Sequence, residues 1–123
     1  MQKTPAQATG QLGEEYAVRY LKNLGWTVLE RNWRRRKAEI DIIARSGDIL
    51  VFIEVKTRTS RLFGEPSSFV GPRQIELISA AASAYMESIN HDWEIRFDII
   101  SILIEETVDY QLEHIEDAFF PGL

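Results

Sequence analysis

Apolar positions recur along this chain with two different spacings, and the spacing assigns the elements. Ala17, Tyr20, Leu21 and Leu24 fall at i, i+3, i+4 and i+7, one stripe of an amphipathic helix over residues 11–24 that Gly25 then ends. Residues 26–33 (WTVLERNW), rich in aromatic and β-branched types, predict a first strand. Residues 38–45 (AEIDIIAR) and 49–58 (ILVFIEVKTR) predict two more, joined at Ser46-Gly47-Asp48 as a hairpin. Segment 59–72, with Gly64, Pro66, Gly71 and Pro72, reads as a loop. Over residues 73–90, Ile75, Ile78, Ala82, Tyr85 and Ile89 repeat on one helical face, and Pro72 suits the first turn. Residues 93–105 contain a long strand, and 110–116 is a weaker candidate for a last one. The order α-β-β-β-α-β predicts an α/β domain with a mixed sheet flanked by helices. Residues 1–9 are expected to be a flexible N-terminus and residues 10–120 one domain.

The charged positions on the central hairpin change this picture from a fold to a site. Strict alternation points Ala38, Ile40, Ile42 and Ala44 one way and Glu39, Asp41 and Ile43 the other. On the next strand Val51, Ile53 and Val55 share a face, opposite Phe52, Glu54, Lys56 and Arg58. Antiparallel pairing then brings Asp41 near Glu54 and Lys56. Two close carboxylates repel and raise each other's pKa unless a cation joins them. Mg²⁺ suits such a pair, because it takes one or two protein carboxylates and shares its remaining positions with water and phosphate. Lys56, two residues past Glu54 on the same face, can reach an attacking water or the phosphate and offset charge developing on phosphorus. The same row also reads as a surface ladder of Glu39 and Asp41 against Lys56 and Arg58, worth roughly a few tenths of a kcal/mol per pair. Glu14 favours the metal site. It lies three residues before Ala17 and seven before Leu21, on the core stripe, where a lone carboxylate is costly. Its neighbour Glu15 lines up with Arg19 and Lys22 on the wet side.

Composition narrows the chemistry. Hydrophobic residues make up 45% and charged residues 27% of the 123, the balance of a soluble domain. No cysteine is present, which excludes disulfides, thiolate metal sites and cysteine nucleophiles. The first residues carry no apolar secretory segment and no stretch approaches the ~20 residues of a membrane helix, so a cytoplasmic protein without a membrane partner is expected. The net charge of −5 argues against a nucleic-acid partner until its distribution is considered. Residues 1–61 carry 12 Lys/Arg against 7 Asp/Glu, a net of +5, whereas residues 62–123 carry 2 against 12, a net of −10. Either the molecule is polarised or folding interleaves the halves and cancels the field. Arg31, Arg34, Arg35, Arg36 and Lys37 form a strip that can track phosphates around Trp33, itself expected in the core. Arg58 and Arg61 continue the cationic run past the third strand. His91 reads as a helix-end cap, Asp98 as a structural hydrogen-bonding group, and His114 has no partner nearby in sequence. A nucleophile elbow and a glycine-rich phosphate loop are both missing, which leaves hydride transfer and kinase chemistry without support.

A set of motifs in order carries a resemblance. Leu12-Gly13-Glu14 with Ala17 and Tyr20-Leu21, Arg31-Asn32-Trp33, Ala38-Glu39-Ile40-Asp41, and Phe52-Ile53-Glu54-Val55-Lys56-Thr57-Arg58 resemble the YraN-like family of small bacterial proteins. That family is described as predicted endonucleases similar to archaeal Holliday junction resolvases, within the PD-(D/E)XK nuclease superfamily. The resemblance runs from about residue 10 to about residue 104. It implies a restriction-endonuclease-like core and metal-dependent hydrolysis of DNA phosphodiesters, on branched or damaged structures, with Mg²⁺ or Mn²⁺. By position Asp41, Glu54 and Lys56 match the D…E-x-K motif and Glu14 the helical acid. The implied catalytic set is therefore Glu14, Asp41, Glu54 and Lys56, with Glu14, Asp41 and Glu54 toward the metal. Arg31, Arg34, Arg35, Arg36, Lys37, Arg58, Arg61 and Arg73 are the implied nucleic-acid contacts. Ala38 stands where the family usually has glycine, and Arg73 near where it often has lysine. Resolvase-like enzymes act as dimers on symmetric junctions, so the resemblance admits a homodimer. The alternative is a nucleic-acid-binding or protein-interaction module that keeps the fold and does not cut.

Overall fold

A computed structural model describes residues 4–59, 70–105 and 110–119, and the predicted loop over 59–72, with Arg61, lies largely outside them. The first helix, α1 (Pro5–Asn23), begins well before residue 11 because a capping box starts it. The Thr4 hydroxyl accepts from the Gln7 N–H at 3.1 Å, and the Thr4 N–H donates to Gln7 Oε1 at 2.9 Å, which satisfies two otherwise orphaned groups. Gly25 at φ 86° then lets the chain reverse into β1 (Thr27–Arg35). The hairpin of β2 (Ala38–Ser46) and β3 (Ile49–Arg58) turns through Gly47 at φ 59°, as its Ser-Gly-Asp sequence predicts. Helix α2 (Pro72–Ser88) has Pro72 in its first turn and leads to β4 (Ile95–Leu103), and β5 (Gln111–Ile115) closes the edge.

The five strands form one mixed sheet in the order β1-β2-β3-β4-β5. β3 and β4 are parallel, joined by the α2 crossover that parallel neighbours require, and the other pairs are antiparallel. α1 sits on one face, where Ala17, Val18 and Leu21 meet Ile42, Ala44, Val51, Ile53, Ile100 and Ile102. α2 covers the other, packing Ile78, Ala81, Ala82 and Tyr85 on Ile43, Phe52, Phe97 and Ile99. Each fully buried Ile, Leu or Phe contributes about 1.5–3 kcal/mol, so the two helices hold the sheet as a layered α/β domain. β4 is buried from Phe97 to Leu103, the reason its sequence is almost continuously apolar. Trp33 packs edge-on against Tyr85 at 5.2 Å, in the core as expected. Ile89 departs from expectation, 37% exposed, because α2 stops at Ser88 and the chain turns at Asn90 with φ 56°. No helix of the described residues is long and apolar enough to cross a membrane.

The alternation on β2 breaks, and the break matters for the site. Ala38 and Ile40 pack beneath α2, yet Ile42 and Ala44 pack beneath α1 while Ile43 joins the α2 side. Asp41 falls at the change of phase. Across from it on β1 stands Asn32, with φ 52°, flanked by the pairs Trp33↔Ile40 and Arg31↔Ile42. A left-handed residue there rotates the β1 side chains by about one position, and β2 follows its partner.

On the α1 side, buried Asp98 gathers four donors. Arg96 donates from Nε at 2.8 Å and from a terminal nitrogen at 2.9 Å, His114 Nε2 lies 2.7 Å away, and the Asp117 N–H donates at 3.0 Å. His114 Nδ1 meets the Tyr20 hydroxyl at 2.9 Å, tying β5 to α1. Burial alone would raise the Asp98 pKa, but the hydrogen bonds from His114 and Arg96 hold it below the ordinary value. Asp98 is thus the structural acid the sequence suggested, and His114 gains its partners from elements remote in the chain. His91, read as a helix-end cap, is buried just past α2, with Nε2 2.9 Å from the Glu94 carbonyl and its ring 4.0 Å from that of Trp93.

Candidate active site

The ladder between β2 and β3 starts at Ser46↔Ile49 and ends at Ile42↔Ile53. One residue further the strands part. The Val55 N–H, at the parting, donates to Asp41 Oδ2 at 2.8 Å, so the carboxylate takes the place of a strand carbonyl. Glu54, 6% exposed, faces the cleft that opens between them. This cleft has a volume of about 290 Å³ and is lined by Lys37, Ala38, Glu39, Asp41, Glu54, Gln74, Leu77 and Ile78. Asp41 and Glu54 therefore meet as the hairpin reading anticipated, through the end of the ladder and not through a cross-strand pair.

One oxygen of Glu54 is held and the other is not. Gln74 Nε2, from the first turn of α2, donates to Oε2 at 2.8 Å. Oε1 is buried and has no hydrogen-bond partner among the described residues. An acceptor-only group left in that condition costs free energy, and charge on it costs more. Burial first, and Asp41 second, push the Glu54 pKa up to about 8, against the pull of Lys56. Burial likewise raises Asp41 to about 6, opposed by the Val55 hydrogen bond and supported by the charge of Glu14. The two titrate together, and the pair holds a proton to higher pH than ordinary carboxylates do. A divalent cation would serve both acids in place of that proton and would give Oε1 its missing partner. Hard carboxylate donors of this kind suit Mg²⁺ or Mn²⁺.

Glu14 reaches the site from α1, at its edge. Burial raises its pKa, opposed by a hydrogen bond from the Asn32 side chain and the nearby charge of Arg31. It lies within electrostatic reach of Asp41 and Glu54. Among the described residues, however, no three His, Cys, Asp or Glu side chains gather closely enough to hold a metal ion. The expected convergence of three acids is met closely by two. Lys56 contributes its positive charge to both acids of the pair. Gly13 sets how near α1 comes, because a Cβ there would overlap the Thr57 side chain on β3.

The expected phosphate contacts divide. Arg31 is paired with Glu15 at 2.9 Å, Arg34 with Glu39 at 2.7 Å, and Arg73 with Glu76 at 3.7 Å, all on the surface. Arg58 turns inward, with a buried Nε that has no partner among the described residues. Arg35, Arg36 and Lys37 are exposed together at the β1–β2 turn beside the cleft. Asn32 and Gln74 are the site residues sequence reasoning passed over. Asn32 sits inside a quoted motif, and its tolerance of positive φ was the available signal. Gln74 carried none, since its role depends on where α2 docks.

The pair predicts an unusual pH profile. In the folded protein both acids lose their protons at higher pH than their ordinary values of 3.8 and 4.5, so it retains protons that the unfolded chain releases. The resulting contribution to stability is complete below about pH 4 and is lost as pH rises through about 6 and then about 8. A pKa raised by one corresponds to about 1.4 kcal/mol. Thermal unfolding in EDTA is expected to show a falling midpoint across this window, and a flat profile would mean that neither burial nor neighbouring charge raises the pKa values of the pair.

Comparison with known proteins places the chain. The model of the uncharacterised protein family UPF0102 matches residues 13–102. A UPF0102 protein of Flavobacterium psychrophilum is 48% identical over 111 residues, covering 90% of this chain and 92% of the relative. Another, of Geotalea daltonii, is 44% identical over 118 residues, covering 95% and 93%. Among solved structures, SfsA of Pyrococcus furiosus in complex with Ca²⁺ matches with a TM-score of 0.35 and 15% identity. That match covers 90% of this chain, which spans 62% of the SfsA chain.

Proposed function

This chain belongs to the UPF0102 family, and from that footing we propose that the cleft between β2 and β3 is the active site of a metal-dependent nuclease that hydrolyses DNA phosphodiesters. The observation that carries the reading is the Asp41–Glu54 pair, its pKa values raised first by burial, with one Glu54 oxygen lacking any partner among the described residues. An acid pair arranged for stability alone would have its oxygens satisfied, as those of Asp98 are.

Asp41 and Glu54 would hold Mg²⁺ or Mn²⁺, which when bound polarises a phosphoryl oxygen and makes water a better nucleophile. The protein's own contributions follow from the geometry. Val55 and Gln74 fix the two carboxylates, so little reorganisation is needed when a phosphate arrives. The Lys56 ammonium would neutralise charge as water oxygen joins phosphorus and the P–O bond to one sugar breaks, the attacking water giving up a proton to solvent and the leaving oxygen taking one from it. Glu14, at the edge, would orient water by accepting a hydrogen bond. Lys37, Arg35 and Arg36 would draw the backbone to the cleft.

Labelled duplex, single-stranded and four-way DNA, each with Mg²⁺, Mn²⁺ or EDTA, test the reading. Cleavage is expected with either metal and none in EDTA. Salt-sensitive binding with no cleavage in any metal would make the chain a binding module. No binding at any salt concentration would leave the interaction-domain alternative.

A further inference from the structure

Beside the acidic cleft runs a second, larger hollow of about 490 Å³, between the β1–β2 turn and α2. On one side stand Arg35, Arg36 and Lys37, and on the other Leu77, Ala80, Ala81 and Ala84 form an apolar wall. Lys37, Ala38 and Leu77 line both hollows, so the two adjoin. Resting on the nuclease reading, we infer that this groove seats one unpaired nucleotide of the strand whose phosphodiester enters the acidic cleft.

The chemistry of the two walls selects that occupant. A paired duplex offers a protein surface mostly phosphate and sugar, which would satisfy the three cations and leave the alanine wall against water. An unpaired nucleotide offers both a flat apolar base and a phosphate, and bases taken out of a stack settle between apolar side chains. The volume is that of an ordinary small-molecule site, about 300–1,000 Å³. Short side chains at Ala80 and Ala84 leave the room that a base fills. Ser83 and Glu87 line the same groove and offer acceptors to a base edge, a carboxylate being suited to an exocyclic amino group. An acidic peptide would also meet the cations, but its carboxylates would then run into Asp41 and Glu54. A phosphodiester that shares a cation with those acids does not suffer that repulsion.

The test measures fluorescence anisotropy of a labelled single strand of about 16 nucleotides and of the same sequence as duplex, both with Ca²⁺ in place of Mg²⁺. The protein is expected to bind the single strand more tightly. Ala80→Phe, at an exposed position, fills the groove and is expected to weaken single-strand binding about tenfold while changing duplex binding less than about twofold. Ala84→Leu, a smaller filling, gives an intermediate loss, and unchanged unfolding midpoints show that both variants fold. Equal affinity for the two DNA forms, or equal effects of filling on both, would overturn the assignment. Selective loss of single-strand binding in a protein that cleaves in no metal leaves the groove standing and removes the nuclease. Cleavage that survives both fillings unchanged removes the groove and leaves the nuclease.

Discussion

Glu54→Gln and Asp41→Asn are each expected to lower metal-dependent cleavage by about 10²–10³-fold or more while making the folded protein more stable at pH 8. The two effects have one cause. Each amide keeps the shape of the acid and an oxygen to accept from Gln74 or Val55, so packing and hydrogen bonding survive. What disappears is a buried negative charge held against another. Relieving a pKa that stands one above its ordinary value is worth about 1.4 kcal/mol, and a gain of that size lifts the midpoint by several degrees in a domain of this size. The gain should shrink toward pH 5, where the wild-type pair is itself protonated. Nicking assays and thermal unfolding in EDTA at pH 5 and pH 8 read both quantities from the same preparations. Variants that are inactive and also less stable at pH 8 would make the carboxylates structural groups and remove them from the chemistry.

Gly13→Ala is expected to destabilise the fold although it adds a single methyl group. Added to a helix interior, alanine normally stabilises by about 1 kcal/mol. Here the new methyl would overlap the Oγ1, Cγ2 and Cβ atoms of Thr57, so α1 must lift from β3 or β3 must yield. Overpacking of this kind costs about 1–3 kcal/mol, enough to reverse the usual sign. Because Glu14 follows directly, lifting α1 also withdraws that acid from the cleft. Thr57→Gly deletes the atoms in the way, so the double variant should recover much of the stability that Gly13→Ala loses. Urea unfolding of the four proteins of this cycle gives the coupling. Additive losses would mean the helix and strand do not touch at Gly13.

Much of this architecture is readable from local pattern. The β2–β3 hairpin follows from alternation plus Gly47, and α2 from its stripe and Pro72. The start of α1 was readable too, because Thr4-x-x-Gln7 is a capping-box sequence standing before the apolar stripe. The phase break at Asp41 was not, because alternation continues unbroken through Ala38, Ile40, Ile42 and Ala44. The rotation belongs to the pairing with Asn32 on another strand. The same holds for His114, whose partners Tyr20 and Asp98 lie 94 and 16 residues away, and for Gln74, which meets Glu54 across α2 docking. The acid pair was legible as residue types on facing strands. The way Val55 and Gln74 hold it was not, since both depend on backbone and helix positions that no spacing encodes.

The parting of β2 from β3 divides the proposed catalytic residues mechanically. Beyond Ile42, β2 remains laddered to β1 as far as Ala38↔Arg35, while beyond Ile53, β3 remains laddered to β4 as far as Arg58↔Leu103. Asp41 therefore rides on one rigid leaf and Glu54 with Lys56 on another, with the hairpin end as their common spine. Spreading the leaves would leave every rung of both ladders intact but would break the Val55–Asp41 hydrogen bond, so that one bond is the latch across the gap between the acids.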